Sequence, residues 1–408
     1  LVSAGNIKVP LPVPAFRNWT EFEDAPPDER ERAILQALSE HKSQRTLLSP
    51  AEALNAVTVG AWHEDAVSDA SRSARAIDPF QGSHLPNVSS ALGLGHRKVI
   101  KPDVHLPGGR ERLIFLSSGT DLVVKVAEAG RQFGIKAAVP DSAGALDREG
   151  LTGGTSAATA LATRAAHQLF DGLVDRDGGS MLSDMDPQFY GVVVKALLIH
   201  RARWSEKAQR LEQLYGPHGQ GSYTERRDNI ARLLGYGRPI IEEAMACAPN
   251  RATMVGCGHV STEGAILYRI PLPPSLERVT EPRAVTVTLA WFSPVNRRHQ
   301  AYRRAKLEAK AATKLDTAFG VDRCKYQPSH DSIPRGTLFH QRFEGKKAVP
   351  FVDDGHLLLR VWCREQAGSL DQTIRFGLAV TIEAGDAIPV YQEIRTRLGI
   401  PVAVATGA

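Results

Sequence analysis

Cysteine is scarce in this 408-residue chain, with four residues at Cys247, Cys257, Cys324 and Cys363. None stands in a C-x-x-C pair, which argues against the common zinc frameworks. A chain of this length can bury a core without a disulfide lattice. Reduced thiols are therefore expected, and a Cys247–Cys257 bridge is the alternative left open. Long apolar runs are also missing: no uncharged apolar stretch approaches the ~18 residues of a membrane span, so no membrane partner is expected. The opening LVSAGN has no initiator Met and neither the basic nor the apolar region of a signal peptide. It reads like a buried strand entered in its middle, which suggests a fragment of a longer protein. There is no G-x-x-x-x-G-K-[ST] to cradle a phosphate, and no acidic cluster with calcium-ligand spacing. Neither a metal nor a cofactor is expected.

A large charge excess is absent too. The net charge is +5, and residues 297–314, RRHQAYRRAKLEAKAATK, carry seven Lys and Arg against Glu308. The rest of the chain is thus nearly neutral. Such a patch can dock an acidic partner, but the commoner outcome is a solvated face, and nucleic acid is not expected.

What is present separates into two textures. Up to about residue 246, short apolar runs alternate with helical stretches. NAVTVGAW (55–62) reads as a strand. Residues 26–41, with Pro and acids at their start, read as a helix, as do Ser156–Phe170, 186–204 with Asp186 as N-cap and Pro187 at N1, and 226–237 ending at glycine. This alternation indicates an α/β layer fold. After 247, RATMVGCGHV, GAILYRIPLP, RAVTVTLAWF, GTLFHQRF, HLLLRVWCRE and IRFGLAVTIEA are strand-like runs between Pro, Gly and charged loops. They predict an antiparallel, jelly-roll-like β-sandwich. Two domains are expected, 1–246 and 247–408.

The chemistry concentrates at LTGGTSAATALATRAA (151–166). Two glycines permit a tight turn and close backbone approach. A serine opening a helix lies beside unpaired N–H groups and the positive end of the helix dipole. As an N-cap, Ser156 would satisfy one of those donors. As a nucleophile, it would use the same donors to hold an oxyanion.

The companions of Ser156 favour the second reading. GTSAAT resembles the G-T-S-M-A-[ST]-P segment around the serine of subtilisin-like proteases, the subtilases of the peptidase S8 family. LVSAGN (1–6) is similar to the strand leading into their oxyanion asparagine, and ALNAVTVGAW (53–62) to the next core strand. KPDVHLPGG (101–109) is similar to the segment preceding the serine loop, VVKALLIHRA (193–202) to the following helix, and GYG (235–237) to the entry of the last helix. The six stretches keep the family's order and cover residues 1–246. The resemblance implies a serine endopeptidase acting on polypeptides. Ser156 would be the nucleophile, the Asn6 side-chain amide and the Ser156 N–H the oxyanion donors, and Ser3, Ala4 and Gly5 one edge of the pocket for the residue before the scissile bond.

There are departures. The family's Met and Pro after the serine are Ala157 and Ala160. Subtilases run Asp, His, Ser along the chain, so both the Asp and the His should precede Asn6. They are expected on an upstream segment or separate chain, without which Ser156 is a weak nucleophile. Asp141-Ser142-Ala143-Gly144 and His218-Gly219-Gln220 are faint, misordered substitutes, and 353–356 reads as a turn. Lone histidines such as His167 and His200 read as packing or surface residues. The tail, through GTLFHQRFEGKKAVPF and HLLLRVWCREQAG, resembles bacterial subtilases encoded beside an AAA-type ATPase. That resemblance implies a cytoplasmic defence role and an ATPase partner. The alternative function is a non-catalytic, subtilase-like protein-binding module.

Overall fold

The computed structural model describes residues 1–65, 76–80, 84–128, 134–174 and 185–398. The chain forms two compact units that interleave in sequence. The first comprises Leu1–Ala165, Ala202–Pro239 and Pro328–Ser332; the second comprises Ala166–Arg201, Ile240–Gln327 and the chain from Ile333 on. Residues 166–201, read from sequence with the first domain, thus group with the second unit.

The strands of the first unit are β1 (Val2–Ser3), β2 (Leu11–Val13), β3 (Thr58–Trp62), β4 (Val104–Pro107), β5 (Leu113–Ser118), β6 (Leu122–Val126), β7 (Ile135–Val139) and β8 (Arg148–Thr152). β1, β3 and β4 form a parallel sheet in that order, with Val2 opposite Thr58 and Val59 opposite Val104. All five residues of β3 are buried, as expected of a parallel strand covered on both faces. β2, β6 and β5 form an antiparallel sheet, and β7 and β8 a hairpin. The helix Pro27–Glu40 has proline in its first turn with Asp28 and Glu29, and buries Ile34, Leu35 and Leu38.

The K-P-D-V stretch has a structural reason. Lys101 and Asp103 are buried and paired at 2.6 Å. The same Asp103 carboxylate accepts the Thr58 N–H at 2.7 Å, and the Lys101 ammonium donates to Ala56 O. The starts of β3 and β4 are thereby fixed together, with both buried charges matched. The His105 ring lies where a side chain at Gly60 would begin, 2.3 Å from the would-be Cβ. Burial holds the His105 pKa down to about 3, so this histidine is neutral and packs.

The second unit carries β9 (Arg251–Val260), β10 (Ala265–Pro271), β11 (Arg283–Trp291), β12 (Ala305–Ala311), β13 (Asp322–Arg323), β14 (Leu338–Gly345), β15 (His356–Glu365) and β16 (Ile374–Ala384). Every pairing among them is antiparallel. One sheet has the order β13-β14-β11-β16-β9, the other β10-β15-β12. This is an open sandwich, not a barrel. All six predicted strands are present. Ahead of β15, Asp353, Asp354 and Gly355 all have positive φ, as a tight turn demands.

The helix Tyr190–His200 packs on the five-stranded sheet. His200 is buried, with one ring nitrogen 2.8 Å from Thr288 Oγ1 and the other 2.6 Å from Thr381 Oγ1. Burial, with His340 and Arg201 nearby, lowers its pKa well below the ordinary value. Lys195 donates to Thr337 Oγ1 at 2.9 Å and to Trp291 O at 3.3 Å. Gly377 of β16 lets the helix approach, because a Cβ there would stand 2.6 Å from Val192 O. Just past the helix, buried Arg201 pairs with Glu243 and Glu383, and Glu383 pairs in turn with Arg342.

The basic segment is not one solvated face. Arg303 is buried and donates to Pro334 O, Gly336 O and Gln366 Oε1; burial lowers its pKa to about 10. Residues 305–311 are β12, where Lys306 pairs with Glu308. The four cysteines are unpaired. Among the described residues, no helix is long and apolar enough to cross a membrane.

Candidate active site

Asn6 follows β1 by three residues, His63 follows β3 directly, and Gly108 follows β4 directly. All three lie just beyond the carboxyl ends of neighbouring parallel strands, where open α/β sheets place their ligands. Ile7 N–H donates to Ser89 O at 2.7 Å. The buried Arg45 guanidinium donates to Ile7 O at 3.2 Å, Val88 O at 3.3 Å and Val9 O at 2.7 Å. The backbone that follows Asn6 is therefore tied at Ile7 and Val9.

The Asn6 amide is clamped by its oxygen. Oδ1 accepts the Thr155 N–H at 2.8 Å and the Thr155 hydroxyl at 3.2 Å, and Thr155 Oγ1 accepts the Gly5 N–H at 3.2 Å. Because the Thr155 N–H can only donate, its partner must be the oxygen of the amide. The Asn6 Nδ2 makes no hydrogen bond among the described residues. Asn6 lines a small cleft of about 90 Å³ together with Gly108, Glu111, Gly153 and Gly154.

Ser156 does not cap its helix, contrary to the first of the two sequence readings. The Ala158 N–H donates to Gly154 O at 3.2 Å, so Gly154 holds the cap position of the helix Thr155–Val174 and Ser156 sits in its first turn. Ser156 is exposed. Neither its hydroxyl nor its N–H has a partner among the described residues. Glycines let the loop close: Gly154 N–H donates to Gly108 O at 2.6 Å, and a Cβ on Gly108 would lie 2.4 Å from Ala61 Cβ. Gly154 has φ +85°, and a Cβ on it would fall 2.5 Å from Asn6 Oδ1. Gly154→Ala should cost about 1–2 kcal/mol from the left-handed backbone alone and should displace Asn6. Gly119→Ala, with nothing within 4 Å of its would-be Cβ, should stay within about 0.5 kcal/mol. Urea midpoints of the two variants check this.

Ser3 is half-buried in β1, and Ala4 is fully buried. Ala4 O accepts the Leu48 N–H at 3.1 Å, and Gly5 O accepts the Ala91 N–H at 2.9 Å. Leu48 stands over Gly5, 2.6 Å from its would-be Cβ. Two main-chain oxygens of the anticipated pocket edge are thus already engaged.

The faint triad substitutes are not drawn to the site. Asp141 Oδ1 accepts the N–H groups of Ala143 and Ala145 at 2.8 Å, shaping the turn between β7 and β8. His218 is exposed. His167 is exposed and pairs with Asp171 at 3.5 Å. No histidine is hydrogen-bonded to Ser156 among the described residues.

A cluster unforeseen from sequence sits beside the cleft. His63 is buried, with Nε2 2.9 Å from Asp78 Oδ1 and Nδ1 3.0 Å from Asn87 Oδ1. Burial would raise the Asp78 carboxyl, but the His63 hydrogen bond and charge hold it below the usual range. Glu111 is buried and accepts from both the N–H and the hydroxyl of Ser89; burial pushes it up nonetheless. The readable signal was position, since His63 directly follows a core strand. Both its ring nitrogens are occupied, so in this arrangement it has none free to take a proton from Ser156. No group of three or more His, Cys, Asp or Glu side chains among the described residues could hold a metal ion.

Residues 1–237 match the subtilase family, peptidase S8. This chain is a member of the subtilase family. No curated protein matches it. Among solved structures, the subtilase chain shows similarity to the capsid of cyanophage Pam1 at 16% identity and TM-score 0.20, over 33% of this chain and 84% of that one. A Helicobacter pylori bacteriophage KHP30 capsid follows at 7% identity and TM-score 0.17, over 33% and 86%. Tomato aspermy virus follows at 8% and 0.17, over 40% and 84%. Scores this low establish no shared fold.

Proposed function

We propose that this subtilase chain is the serine-bearing portion of a serine endopeptidase. Ser156 Oγ would pass its proton to the general base and attack the scissile carbonyl; collapse of the tetrahedral intermediate would break the C–N bond, release the amine with that proton and leave an acyl-enzyme. The Asn6 Nδ2 and the Ser156 N–H would hold the oxyanion of the tetrahedral intermediate, which carries more charge than the ground-state carbonyl. The observation that carries this reading is the clamp on Asn6. With Oδ1 engaged by Thr155, the residue adjoining Ser156, the amide has only its donor end left to offer. Ser3, Ala4 and Gly5 would form one wall of the pocket for the residue before the scissile bond. The general base and its orienting carboxylate would come from a segment outside this chain, delivering a histidine to Ser156.

A second reading is a subtilase scaffold that binds polypeptide without cleaving it. The full internal pairing of His63 and the absence of a base at Ser156 among the described residues favour it. A fluorophosphonate probe on the longest natural form of the protein separates the two. Labelling confined to the Ser156 peptide and abolished in Ser156→Ala supports the protease. No labelling of a folded, intact protein overturns it and leaves the binding module.

A further inference from the structure

β12 ends its sheet, pairing among the described residues only with β15. The Ala312 N–H donates to Leu358 O at 2.8 Å. In an antiparallel ladder hydrogen-bonded and non-bonded pairs alternate, so the main-chain groups of Leu307, Ala309 and Ala311 point away from β15. Near the start of the strand this edge is covered: the Ala305 N–H donates to Ser293 Oγ at 2.9 Å, Ala305 O accepts from Trp291 Nε1 at 3.1 Å, and Leu307 is fully buried. Further along, the strand passes from buried Ala309 to exposed Lys310, half-buried Ala311 and exposed Ala312.

Two clefts meet on that stretch, and Lys310, Ala311 and Ala312 border both. The inner cleft, about 490 Å³, lies between the two sheets against Phe339, Phe343, Leu357 and Leu359. It exists because β12 presents Ala309 and Ala311 where larger side chains would fill the layer. Gln341 also lines it; this residue is only 8% exposed and makes no side-chain hydrogen bond among the described residues. The outer cleft, about 350 Å³, is framed by Lys310, Arg360, Trp362 and Arg364 with Glu263. In register, Lys310 lies opposite Arg360 and Lys306 opposite Arg364. Arg364 lies over the Trp362 ring at 6.0 Å. Neither Lys310 nor Arg360 has an ion pair among the described residues.

We propose that β12 receives an extended segment of a partner protein as an added strand, one that alternates apolar and acidic side chains. Successive side chains of a strand point to opposite faces. A strand laid along Ala309–Ala312 would therefore send one set into the apolar cleft, where Gln341 can reach its main chain or a polar atom. The other set would meet the cationic outer face. Main-chain pairing supplies affinity and the two clefts supply the pattern, as in other cases of strand addition. This surface lies within the second unit and does not depend on the protease reading.

The test uses the full chain and capped heptapeptides alternating Glu and Val, with titration calorimetry as readout. The Glu/Val peptide should bind, and a Lys/Val peptide should bind at least tenfold more weakly. N-methylation of the amides along one edge of the Glu/Val peptide should abolish binding, while N-methylation along the other edge should leave it intact. That asymmetry is the signature of a strand, and it needs no protein variant. Ala311→Pro removes an outward N–H at an edge, a position where proline is tolerated, and Lys310→Glu inverts the cationic face. Each should weaken binding at least tenfold with the thermal midpoint unchanged. No binding of the Glu/Val peptide, equal binding of the Lys/Val peptide, or equal effects of methylating either edge would overturn the proposal.

Discussion

If the proposed protease reading holds, Asn6→Ala in the longest natural form of the protein should lower kcat by about 10²–10³-fold, a loss known for subtilases themselves, and leave KM nearly unchanged. The asymmetry follows from where the amide points. Its oxygen is spent on Thr155, so on the proposed reading a substrate would meet only Nδ2. A donor aimed at the oxyanion strengthens its interaction as charge develops, and such an interaction lowers the barrier without tightening substrate binding. Ser156→Ala should cost far more, roughly 10⁶-fold, again a subtilase figure, because it removes the covalent path. Thr155→Val separates positioning from chemistry. It deletes the hydroxyl bridging Gly5 and Asn6 but keeps the N–H clamp, so its effect should fall between wild type and Asn6→Ala. Steady-state kinetics on a peptide substrate decide this: a rise in KM at unchanged kcat in Asn6→Ala would place the amide in ground-state binding instead.

The second unit should lose stability steeply in acid through Glu383. Burial alone would raise this carboxyl, but Arg342 and Arg201 outweigh it and hold it at about 2, against an ordinary value of 4.5. A depressed folded pKa means that the unfolded chain takes up the proton first. The contribution is therefore complete above about pH 5 and disappears as pH falls from about 4.5 to about 2. At about 1.4 kcal/mol per pH unit, the whole effect is on the order of 3 kcal/mol. Glu383→Gln should remove that slope. It should also destabilise the protein at pH 7 by about 3 kcal/mol, because Arg342 and Arg201 are left with an uncharged neighbour. Denaturant melts followed through the buried Trp291 between pH 2.5 and 7 check both. The same acid slope in Glu383→Gln would assign it to other carboxylates.

The strands of the sandwich were readable because β-branched and aromatic runs between Gly and Pro loops leave little alternative. The α/β texture of the first unit, and the serine loop with Asn6 and the K-P-D-V segment, were readable from local pattern. The destination of the helix Tyr190–His200 was not. A helix apolar on nearly every side announces burial but names no partner. Its partners are Thr288, Thr381 and Gly377, far along the chain, and the last matters for what it lacks. His63 and Asp78 were missed because they stand 15 residues apart in the sequence, and nothing local marks a histidine as buried with both nitrogens engaged. The basic stretch misled when it was read as total charge. Read with period two, Lys306, Glu308 and Lys310 alternate with Leu307, Ala309 and Ala311, the pattern of a half-buried strand; the internal role of Arg303 left no such trace.

Where Gly108 meets Gly154, main chain rests on main chain with no side chain between. Such a seam has no rotamers through which to relax. A displacement at the end of β4 passes undamped to the serine loop, and from there through Thr155 to Asn6. Tolerance in this small region is then close to binary: a library randomised at these two positions should return glycine or nothing, while the flexible side chains around them vary.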